Sequence, residues 1–224
     1  MELLKSEWGN RRKLSDSDVV KRIIGGEKEL FEILLRRHNQ MLYRAIRSYI
    51  TDQAEIKDLM QNTYLKSFEE LDQFKHNAAF STWLIRIGIN ECLGKLRKKE
   101  RFQSIDDTEI NKELSTIVNM KGQLSSDPEK EMMRMELRRT IEKAVDSLDS
   151  KYKSVYILRE VEGMTSSQVA NCLGISIVNV KVRNHHAKAL LRGHLNQLTQ
   201  INDLFEFGFS HCDRMVEEVM KRIL

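Results

Sequence analysis

Thr165-Ser166-Ser167-Gln168 places a hydroxyl three residues before an amide, the spacing at which each side chain satisfies the other's backbone N–H at a helix start. Ala170, Gly174 and Val180 follow at intervals of four and six. A small residue lets two helices cross closely, a glycine takes a left-handed turn, and a valine anchors the second helix inward, so the spacing predicts a helix-turn-helix. Ser176 stands where that second helix needs a cap. From residue 181 to 192 the chain carries Lys181, Arg183, Lys188 and Arg192 with His185 and His186, and no acid. A base-rich second helix is what docking in the major groove of duplex DNA requires. Counted from Ser176, the face opposite Val180, Ala187 and Leu191 presents Lys181, Val182, His185 and His186. Lysine donates to guanine acceptors and valine packs on a thymine methyl, while Ser176, Asn179, Arg183 and Lys188 carry hydroxyl, amide and cationic groups of the kind that bind phosphate.

A second constellation lies upstream. The segment DQFKHNAAFS, residues 72–81, is a polar loop with an aromatic at each side, Phe74 and Phe80. Unpaired bases are held by stacking and by edge hydrogen bonds, and such a loop supplies both. Lys75, His76, Asn77, Phe80 and Asn90 are the candidates for holding unpaired bases, and Arg86, Lys95, Arg97 and Lys98 for the accompanying phosphates. The competing expectation for Phe74, Phe80 and Trp83 is burial in a core.

Other chemistries find little support. His185 and His186 are adjacent and diverge by about 100° on a helix, a poor metal pair. His211-Cys212 has no second ligand at metal spacing, and the 3 cysteines (Cys92, Cys172, Cys212) form no disulfide framework. No glycine-rich phosphate loop or nucleophile elbow occurs. The expectation is therefore no catalytic residue, no metal and no cofactor. Cys172 sits at an inward position of the helix-turn-helix and reads as an inert buried thiol.

The elements that must position these residues are helices. The 224 residues contain 1 proline and 10 glycines, where average usage gives about 11 and 16. So few breakers disfavour many short strands. The fold class expected is all-α: two small helical domains joined by a flexible acidic linker, the second holding the helix-turn-helix. Ser15-Asp16-Ser17-Asp18 caps a first helix, Gly25-Gly26 interrupts it, and Asp52 with Glu55 starts a later one. Residues 15–101 form the first unit. Residues 102–127 lose periodicity and carry Asp106, Asp107, Glu109, Glu113 and Asp127, against Lys112 and Lys121, as an acidic tether. Asp127-Pro128 is a strong helix start and opens the second unit, residues 128–195. The remaining 196–224 hold Phe205, Phe207 and Phe209, then Val216, Val219, Met220 and Ile223 at helical spacing. This tail is expected to pack against the second unit or to regulate it. Net charge is +4, too mild to identify a nucleic-acid partner by itself, and no apolar run is long enough to span a membrane.

Residues 148–192 closely resemble region four of bacterial RNA polymerase sigma factors of the extracytoplasmic-function (ECF) type. Asp58-Leu59-Met60-Gln61-Asn62-Thr63-Tyr64 resembles the region-two core-binding motif, and residues 80–90, FSTWLIRIGIN, the promoter-melting helix. The two motifs stand in the family's order. The resemblance implies a sigma factor that binds core RNA polymerase through Asp58, Leu59, Gln61 and Asn62. It implies duplex and melted promoter DNA as partners, an anti-sigma factor as a further candidate partner, no membrane insertion and a cytoplasmic location. Asn184 stands where the resemblance calls for an apolar residue, and His186 where it calls for an arginine. The alternative reading is a stand-alone helix-turn-helix regulator with an N-terminal sensor domain.

Overall fold

The computed structural model describes residues 14–103, 128–195, 207 and 209–224. Every regular element among these is helical. The acidic residues of the tether, including Asp106, Asp107, Glu109 and Asp127, lie outside the described residues, as does Phe205.

The first unit comprises α1 (Asp16–Ile24), α2 (Phe31–Arg47), α3 (Gln53–Glu69) and α4 (Phe80–Gln103). Ser15 caps α1 by accepting from the Asp18 N–H at 3.2 Å, and Asp52 caps α3 by accepting from the Glu55 N–H at 2.8 Å. Each cap satisfies one of the four orphan donors of a helix start. Asp16 takes Arg37 at 2.7 Å and His38 at 2.8 Å, which ties α1 to α2. The His38 hydrogen bond, helped by Arg37 and opposed by burial, holds the Asp16 carboxyl below its usual range.

The 3.6-residue period of α2 and α3 buries Leu34, Leu35, Leu42 and Ile46 against Ile56, Met60 and Tyr64. Phe31 meets Tyr64 and Phe68 edge-on, at ring separations of 6.4 and 5.2 Å. At Gly88, α4 comes close to α2 and leaves no room for a side chain. A β-carbon there would stand 2.8 Å from Leu42 Cδ1.

The second unit comprises α5 (Pro128–Asp146), α6 (Ser150–Tyr156) running into a π-type turn (Ile157–Val161), α7 (Ser166–Leu173) and α8 (Ile177–Leu195). The two units lie against each other. Ala45, Ile85 and Ile89 share one apolar cluster with Val155, Leu158, Met164, Val169, Ala170, Cys172 and Val180. Helix α7 packs along α4.

The tail forms α9 (Phe209–Ile223). Its packing corrects the sequence expectation. α9 docks on α2 and α3 of the first unit rather than on the second. The reason is apolar complementarity: Met215, Val216, Val219, Met220 and Ile223 are all buried there.

Candidate nucleic-acid interface

The helix-turn-helix is assembled by local chemistry. Thr165 Oγ1 accepts from the Gln168 N–H at 3.2 Å, and Gln168 Oε1 accepts from the Thr165 N–H at 2.8 Å. Gly174 ends α7 at φ +64°, a left-handed position that favours glycine. Ser176 Oγ accepts from the Asn179 N–H at 3.2 Å and starts α8. Val180, Ala187 and Leu191 are buried beneath the helix. The opposite face leaves Ser176, Asn179, Lys181, Val182, His185 and Lys188 exposed. The structure thus brings the candidate base-reading groups together on one solvent-facing surface.

Three neighbours modify that surface. His186 is exposed, yet its ring leans on Tyr152 of α6 at 5.9 Å, so it stands to one side of the Lys181 strip. Arg183 is half-buried, less open to solvent than Lys181, Val182 and His185. Glu160, in the π-type turn, receives the Lys188 ammonium at 2.7 Å and the Asn184 amide at 2.7 Å. Burial works against the Glu160 charge, but the bonds from Lys188 and Asn184 outweigh it and hold the carboxyl below its usual range. Asn184, polar at an inward position, has found its partner in Glu160. Sequence reading missed Glu160. The signal was Asn184 itself, an inward amide that needs a buried partner.

In the first unit, the loop after the short turn Leu71–Gln73 leaves Lys75, His76 and Asn77 exposed. His76 adopts φ +54°, with its ring 4.6 Å from Phe74 and its Nδ1 3.3 Å from Ser17 Oγ. Phe80 takes the core alternative and corrects its place among the base-binding candidates. It is 2% exposed and packs with Phe74, Trp83 and His38 at ring separations of 5.8, 5.7 and 5.5 Å. Its face is spent on the core, so it supports the loop from beneath and offers no platform to a base. Arg86 and Asn90 lie exposed, one turn apart on α4. Further along, Lys95 reaches Glu55 at 3.4 Å, Arg97 donates to the Leu93 carbonyl at 3.2 Å, and Lys98 is exposed.

On α3, Asp58 and Asn62 are exposed one turn apart, and Gln61 is half-buried beside them. Leu59 is 4% exposed and belongs to the core, a second correction: it positions its neighbours and presents no surface of its own.

The cysteines are spread apart. Cys92 and Cys172 are buried, and burial pushes both thiols up to about 12. Cys172 Sγ lies 3.4 Å from the Thr82 carbonyl, at the seam between the units. Among the described residues no group of three or more His, Cys, Asp or Glu is placed to hold a metal. No helix among them is long and apolar enough to cross a membrane.

An all-helical pair of units, one built on a loop and a basic helix and the other on a helix-turn-helix with an exposed reading face, defines a DNA-binding protein of transcription. Residues 34–102 match the model of sigma-70 region 2, and residues 138–191 that of sigma-70 region 4. The chain is 26% identical over 182 residues to the ECF RNA polymerase sigma factor SigW of Bacillus subtilis, covering 80% of this chain and 96% of the relative. It is 25% identical over 186 residues to the ECF RNA polymerase sigma-E factor of Haemophilus influenzae, covering 83% and 98%. Among solved structures it resembles CnrH in complex with the cytosolic domain of CnrY, with a TM-score of 0.55, 25% identity and coverage of 81% of this chain and 97% of that one. It also shares the fold of the sigma factor RpoE, solved with the anti-sigma factor NepR from Bartonella quintana, with a TM-score of 0.59, 22% identity and coverage of 76% and 96%. The chain belongs to the sigma-70 family as an ECF sigma factor. Its function is to direct promoter recognition and transcription initiation.

Proposed function

We propose a division of labour among the surfaces of this sigma factor. Asp58, Gln61 and Asn62 on α3 hydrogen-bond a helical surface of bacterial core RNA polymerase. Lys181, Val182 and His185 on α8 read base edges of the upstream promoter element, while Ser176, Asn179 and Lys188 hold phosphates. Lys75, His76, Asn77 and Asn90 receive the melted strand downstream, and Arg86, Lys95, Arg97 and Lys98 its backbone. The protein makes no bonds. Its work is binding, and its place is the cytoplasm, where core polymerase and promoter DNA are found. Residues 15–101 and 128–195 act as the two functional units, with 102–127 as the tether. An anti-sigma factor is a further partner, a reading supported by the RpoE structure solved with NepR.

The observation that supports this best is that α3 and α8 expose their polar strips, Asp58 with Asn62 and Lys181 with His185, to solvent on one chain. Run-off transcription with purified core polymerase tests it. Promoter-specific transcripts are expected only when the protein is present. Specific duplex binding by the chain alone, with no effect on polymerase, would instead favour a stand-alone regulator.

A further inference from the structure

The tail follows the end of the region-four match at residue 191, yet it is fastened to region two. Arg36 of α2 pairs with Asp213 at 2.5 Å. Gln40 Oε1 accepts from the Phe207 N–H at 2.6 Å, and the Phe207 ring lies 4.8 Å from Tyr43. Asn39 is 2% exposed and links three elements: its Nδ2 donates to Cys212 Sγ at 2.9 Å, and its Oδ1 accepts from Tyr64 of α3 at 2.8 Å. Below these bonds only the apolar face of α9 holds the seat. Its outer face, Asp213, Arg214, Glu217, Glu218, Lys221 and Arg222, is exposed.

The seat matters because of where it lies on α3. α9 packs along α3, and Cys212 of the tail and Tyr64 of α3 meet the two ends of the same Asn39 amide. Lys57, Gln61 and Tyr64 are spaced at four and three, so they share one line of the helix. Half-buried Gln61 therefore lies one turn from Tyr64, which sits beneath the tail, and Asp58 lies on the adjoining strip. A helix with side chains is about 10–12 Å across. One helix already seated on this line crowds a second that must reach Gln61.

We propose that the tail helix α9, with Phe207 before it, is a displaceable intramolecular cap that occupies the approach to the core-polymerase surface of α3 and moves aside when core polymerase binds. The proposal rests on the assignment of Asp58, Gln61 and Asn62 to core binding. The segment restrains its own region two, and the polymerase competes with it for one flank of α3.

The chain carries its own probe. Cys92 and Cys172 are buried with thiols pushed up to about 12, whereas Cys212 is half-buried at the edge of the cap. Alkylation of Cys212 in the full chain should speed up at least several-fold when core polymerase is added. An unchanged or slowed rate, with polymerase shown to be bound, overturns the cap. As a second measurement, Val219→Asp breaks the apolar face within the tail alone. It should raise the alkylation rate and tighten core binding several-fold, with helicity of the remainder retained. Unchanged or weaker core binding in a folded Val219→Asp protein also overturns it. If instead the parent chain supports no promoter-specific transcription and Asp58→Ala leaves core binding intact, the assignment of the α3 surface has failed, a result distinct from failure of the cap.

Discussion

Arg44 of α2 and Glu162 beyond the π-type turn stand 118 residues apart in the chain and meet at 2.8 Å, with side chains only 7% and 9% exposed. Beside them Arg47 holds Asp146 through two bonds of 2.6 and 2.8 Å, and Lys153 approaches the same carboxylate at 3.5 Å. Burial alone would lower the basicity of Arg47, but Asp146 more than compensates, and its guanidinium sits above its ordinary range. These pairs close region four onto region two. Buried charge is costly to strand: removing one partner of such a pair destabilises by about 3–5 kcal/mol, whereas replacing both by apolar residues is often neutral. Glu162→Ala should therefore lower stability by roughly that amount, and Arg44→Met with Glu162→Leu should recover most of it. Chemical denaturation of Glu162→Ala and of the double variant, each against the parent chain, reads the difference.

Gly88 gives a sharper packing test. A methyl group there meets Leu42 Cδ1 at 2.8 Å and Thr63 Cγ2 at 3.5 Å, and Leu42 is fully buried with little room to turn. Gly88→Ala should cost about 1–3 kcal/mol from overpacking. At Gly94 a β-carbon meets nothing within 4 Å. Gly94→Ala should stabilise by about 0.5–1 kcal/mol through helix propensity. Thermal unfolding of the two variants should move in opposite directions.

What was legible in the sequence was local. Thr165 with Gln168, Gly174, Ser176 and Val180 act within a few residues of themselves, and their caps, turn and anchor appear where spacing places them. The same holds for Ser15 and Asp52. What stayed hidden depends on residues far apart in the chain. Nothing near Phe80 tells whether its ring meets a base or meets Phe74 and His38; only the fold decides. Leu59 was named with its motif, but the period of α3 turns it inward. The amphipathic pattern of the tail showed that one face must be buried, and was silent about whether region two or region four would bury it. Complementarity of charge, as in Arg44 with Glu162, has no sequence spacing at all.

The Glu160 anchor predicts a dependence on pH. Its carboxyl is held below the ordinary range in the folded protein. A depressed folded pKa contributes stability that is present above the unfolded value, about 4.3. That contribution is lost as pH falls through the folded value. The stability of region four should thus decline on acidification below about pH 4.5, and Glu160→Gln should flatten that part of the profile. The near-ultraviolet signal of Tyr152 and Tyr156, followed from neutral pH to pH 3 in both proteins, reads the difference. Equal slopes would mean that Lys188 and Asn184 do not hold a charged Glu160.

The last test separates reading from gripping on α8. Lys181 is exposed on the solvent face of α8, beside Val182, which is 48% exposed. Its ammonium is free to reach guanine acceptors in the major groove, so Lys181→Ala should cost about 1–3 kcal/mol on the preferred upstream element and relax preference at one base pair. Lys188 differs. It is already paired with Glu160 of the π-type turn at 2.7 Å, which restrains its reach. Such a cation neutralises a phosphate and carries no sequence information. Lys188→Ala should weaken matched and mismatched duplexes alike and reduce the salt slope by about one ion. Holoenzyme binding to both duplexes at several salt concentrations supplies the two readouts together. If the Lys181 and Lys188 variants lose affinity equally for every duplex, the two lysines share one role and the reading face must lie elsewhere on α8.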